Sequence, residues 1–360
     1  MPEPLKNAYN QAFIQSLCDA VKAQYAPFDV DNFQLTIFDG QWDAKELKER
    51  MSHISKTLQQ FLPPDYRQAL AILKPVAANY CRFEYMFFPG FVELFGLDDY
   101  EASIEAMAFL TQYSSAEFAV RPFIKRYPER MMAQMLEWAG SDNYHIRRLA
   151  TEGCRPRLPW AMALPDFKKD PQLVLKILEK LKLDDSEYVR RSVANNLNDI
   201  SKDNPELLIK LAGEWHGQHP HTDRIVKHAC RTLLKQGEAR VLALFGFMAP
   251  EHVKVEAFEL QKTVKMGETL AYSFELSAGN EPLGRLRIEY AVDFMKSNGK
   301  QARKVFKVAE SDYQQSTKQV SKRYSFKPIS TRKYYPGAHG LAVIVNGHEL
   351  ARGSFELQES

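Results

Sequence analysis

No run of about 18 apolar residues occurs anywhere in the 360-residue chain, so no membrane-crossing helix is expected. The opening residues, MPEPLKNAYN, lack a cationic start followed by an apolar core, and no secretory leader is expected from them. Cysteine is scarce. Cys18, Cys81, Cys154 and Cys230 stand far apart, with no CxxC pair and neither zinc nor iron–sulfur spacing. That pattern points to reduced thiols and a cytoplasmic setting. An excess of charge of one sign is also missing: 48 Lys and Arg against 45 Asp and Glu leave +3, so only the distribution of charge can indicate a partner. With 45% hydrophobic residues the chain has an ordinary globular balance, and its length suits two or three domains.

What is present divides the chain in two. All four tryptophans and all four cysteines precede residue 250, whereas eight of the seventeen glycines follow it. Before that point Ala and Leu recur at helical spacing. Three segments open on proline, PERMMAQMLEWA at Pro128, PQLVLKILEKL at Pro171 and PELLIKLAGEW at Pro205. Proline suits a first helical turn, where its missing N–H would be unpaired anyway. Between them lie YHIRRLATEGC, EYVRRSVANNL and DRIVKHACRTL, in which Ile146, Val189 and Ile225 align, as do Ala150, Val193 and Ala229. Asp142, Asp185 and Thr222 or Asp223 are the expected caps. A two-helix unit recurring every 34–43 residues predicts a HEAT-like solenoid, each unit covering the apolar flank of the next. Residues 43–62 and 98–113 also read as helices, without an alignable repeat.

After about His252 alternation takes over. RLRIEYAVDF puts Leu286, Ile288, Tyr290, Val292 and Phe294 on one face and Arg287 and Glu289 on the other, the pattern of a half-buried strand. Asn346-Gly347 inside LAVIVNGHELARGSFEL is a hairpin turn signal. The expected architecture is therefore a helical domain over 1–250 and an immunoglobulin-like β-sandwich over 251–360, without an inter-sheet disulfide.

Charge clusters within this frame. Between Lys296 and Lys333, eleven Lys or Arg, including Arg303, Lys304, Lys322 and Arg323, face two acids and are interleaved with Phe and Tyr. A second stripe follows the repeats: Arg147 and Arg148, then Arg190 and Arg191, then Lys227 and Arg231, with Arg155 and Arg157 between. Basic stripes of this kind suit a polyanion backbone, which lysine and arginine position without reading sequence. The alternative for any one arginine is a tie to an aspartate of the adjacent repeat. The densest cluster, YHIRRLATEGCRPRLPW, sets Arg148, Glu152 and Arg155 on one helical face, as an ion pair or as a charged site.

The runs FPGFVELFG at 88–96, SSAEFAVRPFI at 114–124 and RRLATEGCRPRLPWA at 147–161 resemble the AlkC branch of the AlkC/AlkD family of HEAT-like DNA glycosylases, over most of the first 250 residues. Some members of that branch carry a C-terminal immunoglobulin-like domain. The resemblance implies excision of cationic N-alkylated bases, 3-methyladenine and also 3-methylcytosine, from double-stranded DNA without flipping the damaged base into a pocket. It implies that Glu117 and Glu152 are the catalytic carboxylates, that Arg148 and Arg155 hold DNA, and that Trp160 is an aromatic contact near the lesion. The alternatives are a cap or first-turn role for Glu117 and inter-repeat packing for Trp160. Neighbouring arginines favour the charged form of a carboxylate, which suits a sugar acquiring oxocarbenium character. The expected protein is a monomeric, monofunctional glycosylase without metal or organic cofactor; the competing reading is a HEAT scaffold that binds protein or nucleic acid without cutting the glycosidic bond.

Overall fold

The structure is a computed structural model and describes residues 3–329 and 332–359. It separates into two compact units, Met1–Leu208 with Trp215–Ala229, and Ile209–Glu214 with Cys230–Ser360.

The first unit is helical. Its N-terminal part is built from helices Gln11–Gln24, Val30–Ile37, Leu47–Phe61, Tyr66–Ala77, Phe87–Phe95 and Tyr100–Leu110, on a core rich in phenylalanine. Rings of Phe28, Phe33 and Phe61 meet edge-on or tilted, as do Phe87 and Phe88. The helix Leu47–Phe61 starts at a capping box in which Glu46 and Glu49 bond each other's backbone N–H groups.

The repeat follows as three helix pairs: Pro128–Trp138 with Tyr144–Gly153, Gln172–Leu181 with Glu187–Ile200, and Pro205–Trp215 with Pro220–Ala229. The second helices stack in sequence order, Glu187–Ile200 packing against both Tyr144–Gly153 and Pro220–Ala229. The aligned Ala150, Val193 and Ala229 are fully buried. Pro171 caps its helix from one residue outside instead of opening it. The caps differ from those expected: Asn143 takes the place of Asp142, accepting from the His145 N–H, and Ser186 that of Asp185, while Thr222 and Asp223 lie inside the helix Pro220–Ala229, which starts ahead of them.

The second unit is a β-sandwich with strands β1 (Lys254–Leu260), β2 (Thr263–Lys265), β3 (Thr269–Ser277), β4 (Gly284–Met295), β5 (Gln301–Tyr313), β6 (Thr317–Ser325), β7 (Gly337–Val345) and β8 (His348–Gln358). One sheet has the order β1-β3-β6 and the other β2-β8-β7-β4-β5; only β2 and β8 pair in parallel. Leu270, Tyr272, Phe274 and Leu276 of β3 meet Leu286, Ile288, Val292 and Phe294 of β4 in the core. The Asn346-Gly347 turn joins β7 to β8 with φ of 46° and 82°, the positive pair a type I′ hairpin needs.

Strand β4 departs from the half-buried pattern. Arg287, Glu289, Ala291 and Asp293 on its other face are buried too, because the strand is internal to its sheet and the helices Arg231–Gln236 and Ala239–Leu244 pack within the same unit. Arg287 is matched there by Glu289, 2.5 Å away, and by Glu310. A Cβ on Gly347 would stand 2.6 Å from Leu242 Cδ1, which shows how closely the second of these helices approaches the hairpin.

Candidate active site

The 144–153 helix is short, and its C-terminal end is unusually crowded. Gly153 ends it where a Cβ would stand 2.5 Å from Val120 Cγ2 and 3.0 Å from Met135 Cε, so glycine permits the close approach of three helices. That approach brings the end of the helix against the turn Glu117–Ala119 and the following helix Val120–Arg126.

Glu117 and Glu152, 35 positions apart in the chain, are brought together by Arg148. Its Nη1 donates to Glu117 Oε2 at 2.5 Å and to Ser115 Oγ at 2.8 Å, and its Nη2 lies 3.4 Å from Glu152 Oε1. Ser115 Oγ also donates to Glu117 Oε2 at 2.8 Å. Arg155 donates to Glu152 Oε1 at 2.7 Å and, through Nε, to Asp199 Oδ2 at 2.8 Å. Ser192 Oγ closes the remaining side, donating to Glu152 Oε2 at 2.5 Å. Lys202 lies 3.0 Å from Asp199 Oδ1. Three carboxylates therefore meet Arg148, Arg155 and Lys202, a locally neutral cluster most of which is buried.

The two glutamates are not equivalent. Glu152 is 5% exposed and has partners on both oxygens. Glu117 is half-buried, and among the described residues its Oε1 has no hydrogen-bond donor, so that oxygen can accept one from a ligand. Glu117 lies in the turn ahead of the 120–126 helix, outside that helix's first turn and not at its cap, which is Ala119, and it belongs to the charged cluster. Burial opposes the charge on Arg148, but Glu117 and Glu152 together outweigh it and its pKa is raised. The Tyr188 ring completes the setting, its centroid 4.8 Å from the Arg148 guanidinium carbon.

Arg155 and Arg148 are thus committed to carboxylates, with side chains 8% and 14% exposed. Arg190 is 9% exposed and donates to the carbonyls of Asp184 and Asp185, so it braces a loop; it does not face solvent as a groove-lining cation would. Arg147 to Asp184 and Arg157 to Asp203 are ties from one repeat to the next. Arg191 is exposed and Lys227 half-buried. In the second unit, Arg303 is held by Asp293 and Glu349, while Lys304 lies 5.4 Å from the Phe306 ring centroid. Lys322 and Arg323 are exposed on β6, an edge strand of its sheet.

Trp160 is 65% exposed, so it does not pack between repeats. Its φ is 63°, a left-handed conformation that costs a non-glycine residue on the order of 1–3 kcal/mol. The loop that carries it is held from below by Arg121. This fully buried guanidinium donates to the carbonyls of Gly153, Arg155 and Met162, and burial draws its pKa down to about 10. Two further aromatics, Tyr144 and Tyr188, are 45% and 44% exposed and meet edge-on.

Sequence reasoning missed Ser115, Ser192, Asp199, Tyr188 and Arg121. Asp199 was within reach of the arginine-to-aspartate tie between repeats, since Asp184 and Asp203 follow the same habit. The serines carry no pattern that separates them from ordinary helix surface.

These features define a helical-repeat protein with a buried carboxylate–arginine cluster and an immunoglobulin-like unit. Residues 97–243 match the family described as "DNA alkylation repair enzyme", and residues 254–359 match the "Uncharacterised protein YhaZ, C-terminal Ig-like domain". The uncharacterized protein YhaZ of Bacillus subtilis (strain 168) is 46% identical over 345 residues, 95% of this chain and 96% of that one. The Pseudomonas fluorescens alkylpurine DNA glycosylase AlkC, solved bound to DNA containing an abasic site analog, is 38% identical and superposes with a TM-score of 0.94 over 99% of this chain and 100% of its own. The chain belongs to the DNA alkylation repair enzyme family.

Proposed function

We propose that the chain is a monofunctional DNA glycosylase that removes cationic N-alkylated bases, 3-methyladenine and 3-methylcytosine, from duplex DNA. The observation that carries this reading is the pair Glu117 and Glu152 joined through Arg148, in a chain that is similar end to end to an alkylpurine DNA glycosylase.

A base methylated at such a position carries a positive charge. When its bond to C1′ breaks, the bonding electrons neutralise the departing base, so no general acid is required. The sugar is left with oxocarbenium character. Glu117, through its open oxygen, stabilises that charge and accepts a proton from the water that attacks C1′. Glu152 acts one step back: it fixes Arg148 and so fixes Glu117. Keeping Arg148 paired also keeps it from cancelling the carboxylate's field completely, since its charge is shared between two acids. The exposed Trp160, Tyr144 and Tyr188 supply apolar surface against a base left in the helical stack. Arg191, Lys227 and the exposed cations of the sandwich contribute backbone contacts.

The test is incubation with methylated duplex DNA and chromatography of the released bases. The wild type is expected to free 3-methyladenine, and Glu117→Gln and Glu152→Gln to free at least ~100-fold less while still binding DNA. Binding without release from the wild type would favour a non-catalytic scaffold. Equal release from wild type and both variants would remove the carboxylates from the mechanism.

A further inference from the structure

Trp160 keeps a strained backbone while its indole stands in solvent, so something outside the indole must hold it. Turn hydrogen bonds from Ala161 N to Leu158 O and from Leu164 N to Pro156 O close the loop around it, and Arg121 anchors the carbonyl of Met162. None of these reaches the carbonyl of Trp160 itself. That carbonyl accepts a 2.5 Å hydrogen bond from Lys48 Nζ, 112 positions earlier in the chain. Lys48 sits in the first turn of the Leu47–Phe61 helix and its ammonium lies 5.2 Å from the Phe118 ring centroid. With Phe118, Ser115 and Glu93 it lines a cavity of about 190 Å³. Phe118 follows Glu117 directly, and Ser115 bonds Glu117, so one lysine touches both the tryptophan loop and the flank of the carboxylate turn.

The orientation of a peptide plane is set by what its carbonyl and N–H bond to. A bond to the Trp160 carbonyl fixes the plane between Trp160 and Ala161, and with it ψ of Trp160 and the direction in which the loop leaves the left-handed residue. Lys48 is also an exposed residue, unlike Arg121, so the fold does not depend on burying it. We propose that Lys48 is a positioning residue: by holding the Trp160 carbonyl it fixes the loop that carries the exposed indole and so the orientation of that indole. The lysine acts through the tryptophan and is not assigned contact with the reacting atoms. The inference rests on the glycosylase reading only for its effect on rate; its structural half stands without it.

The test uses Lys48→Met, Lys48→Arg, Trp160→Ala and the double variant of Lys48→Met with Trp160→Ala. The Trp160 signal is isolated from the other three tryptophans by subtracting the spectrum of the matching Trp160→Phe chain. In Lys48→Met the Trp160 fluorescence anisotropy should fall and its acrylamide quenching change, with the midpoint of unfolding nearly unmoved. Single-turnover base release should drop on the order of 10-fold, Lys48→Arg should restore most of it, and Lys48→Met added to Trp160→Ala should cost little more than Trp160→Ala alone. An unchanged Trp160 signal in Lys48→Met overturns the proposal. So does multiplication of the two effects, or a loss confined to DNA affinity with a shallower salt dependence, which would make Lys48 a phosphate contact. If the wild type releases no base, the glycosylase reading fails, and the fluorescence alone decides the role of Lys48.

Discussion

Removing the Arg148 guanidinium leaves Glu117 and Glu152 facing each other across the space it filled. Breaking a buried pair by deleting one partner typically costs about 3–5 kcal/mol, because the abandoned charge stays behind. Arg148→Met is therefore expected to lower the denaturation midpoint markedly. Adding Glu117→Gln should recover part of that stability, since one of the two stranded charges is gone. Urea titrations of the two single variants and the double variant check this; strict additivity would mean that the two side chains are not coupled.

At the level of elements, the decisive contact is between the end of the Tyr144–Gly153 helix and Val120. Gly153→Ala places a methyl group 2.5 Å from a β-branched side chain that cannot swing away, an overpacking worth about 1–3 kcal/mol. Val120→Ala removes the clashing Cγ2 and should rescue both the stability of Gly153→Ala and its base release, because the displaced element carries Glu152. In β7, His339 is buried, stacked on Phe355, and accepts from Met295 N–H through Nδ1 while Nε2 lies 3.0 Å from the Tyr335 carbonyl, an arrangement that suits the neutral ring. Burial holds its pKa below the ordinary 6.5, so the unfolded chain takes up the proton first as pH falls. The sandwich should lose stability from about pH 6.5 downward to the folded-state value and regain it as pH rises. Hydrogen exchange across Gly337–Val345, corrected for the intrinsic effect of pH, measures this, and His339→Gln should flatten the profile.

For the whole molecule, the two basic stripes have different fates. Along the repeats most arginines are spent on carboxylates and carbonyls, whereas Lys318, Lys322 and Arg323 of β6 form no ion pair among the described residues. If the sandwich grips the DNA backbone, neutralising these three residues should weaken binding and make the dependence of log K on log salt shallower by roughly 0.9 for each phosphate that is no longer paired with a cation. An unchanged slope in a folded triple variant would confine DNA binding to the helical unit.

The sequence alone carried the repeat, the sandwich and the chemistry-bearing residue types, because helical and strand periodicities are local and a glutamate among arginines is visible in a single line of text. Ala150, Val193 and Ala229 are buried as their alignment required, and Asn346-Gly347 forms the hairpin. Tertiary structure decided the rest. Whether an arginine faces solvent or an aspartate of the next repeat depends on a partner some forty residues away, as with Arg155 and Asp199. The burial of Arg287 and Glu289 depends on the neighbours of β4, which its own alternation does not record. The carbonyl of the left-handed, exposed Trp160 is bonded by a lysine 112 positions distant. Periodicity reports which face of an element is apolar; it does not report which partner arrives there, and the charge of a side chain acquires its meaning only from that partner.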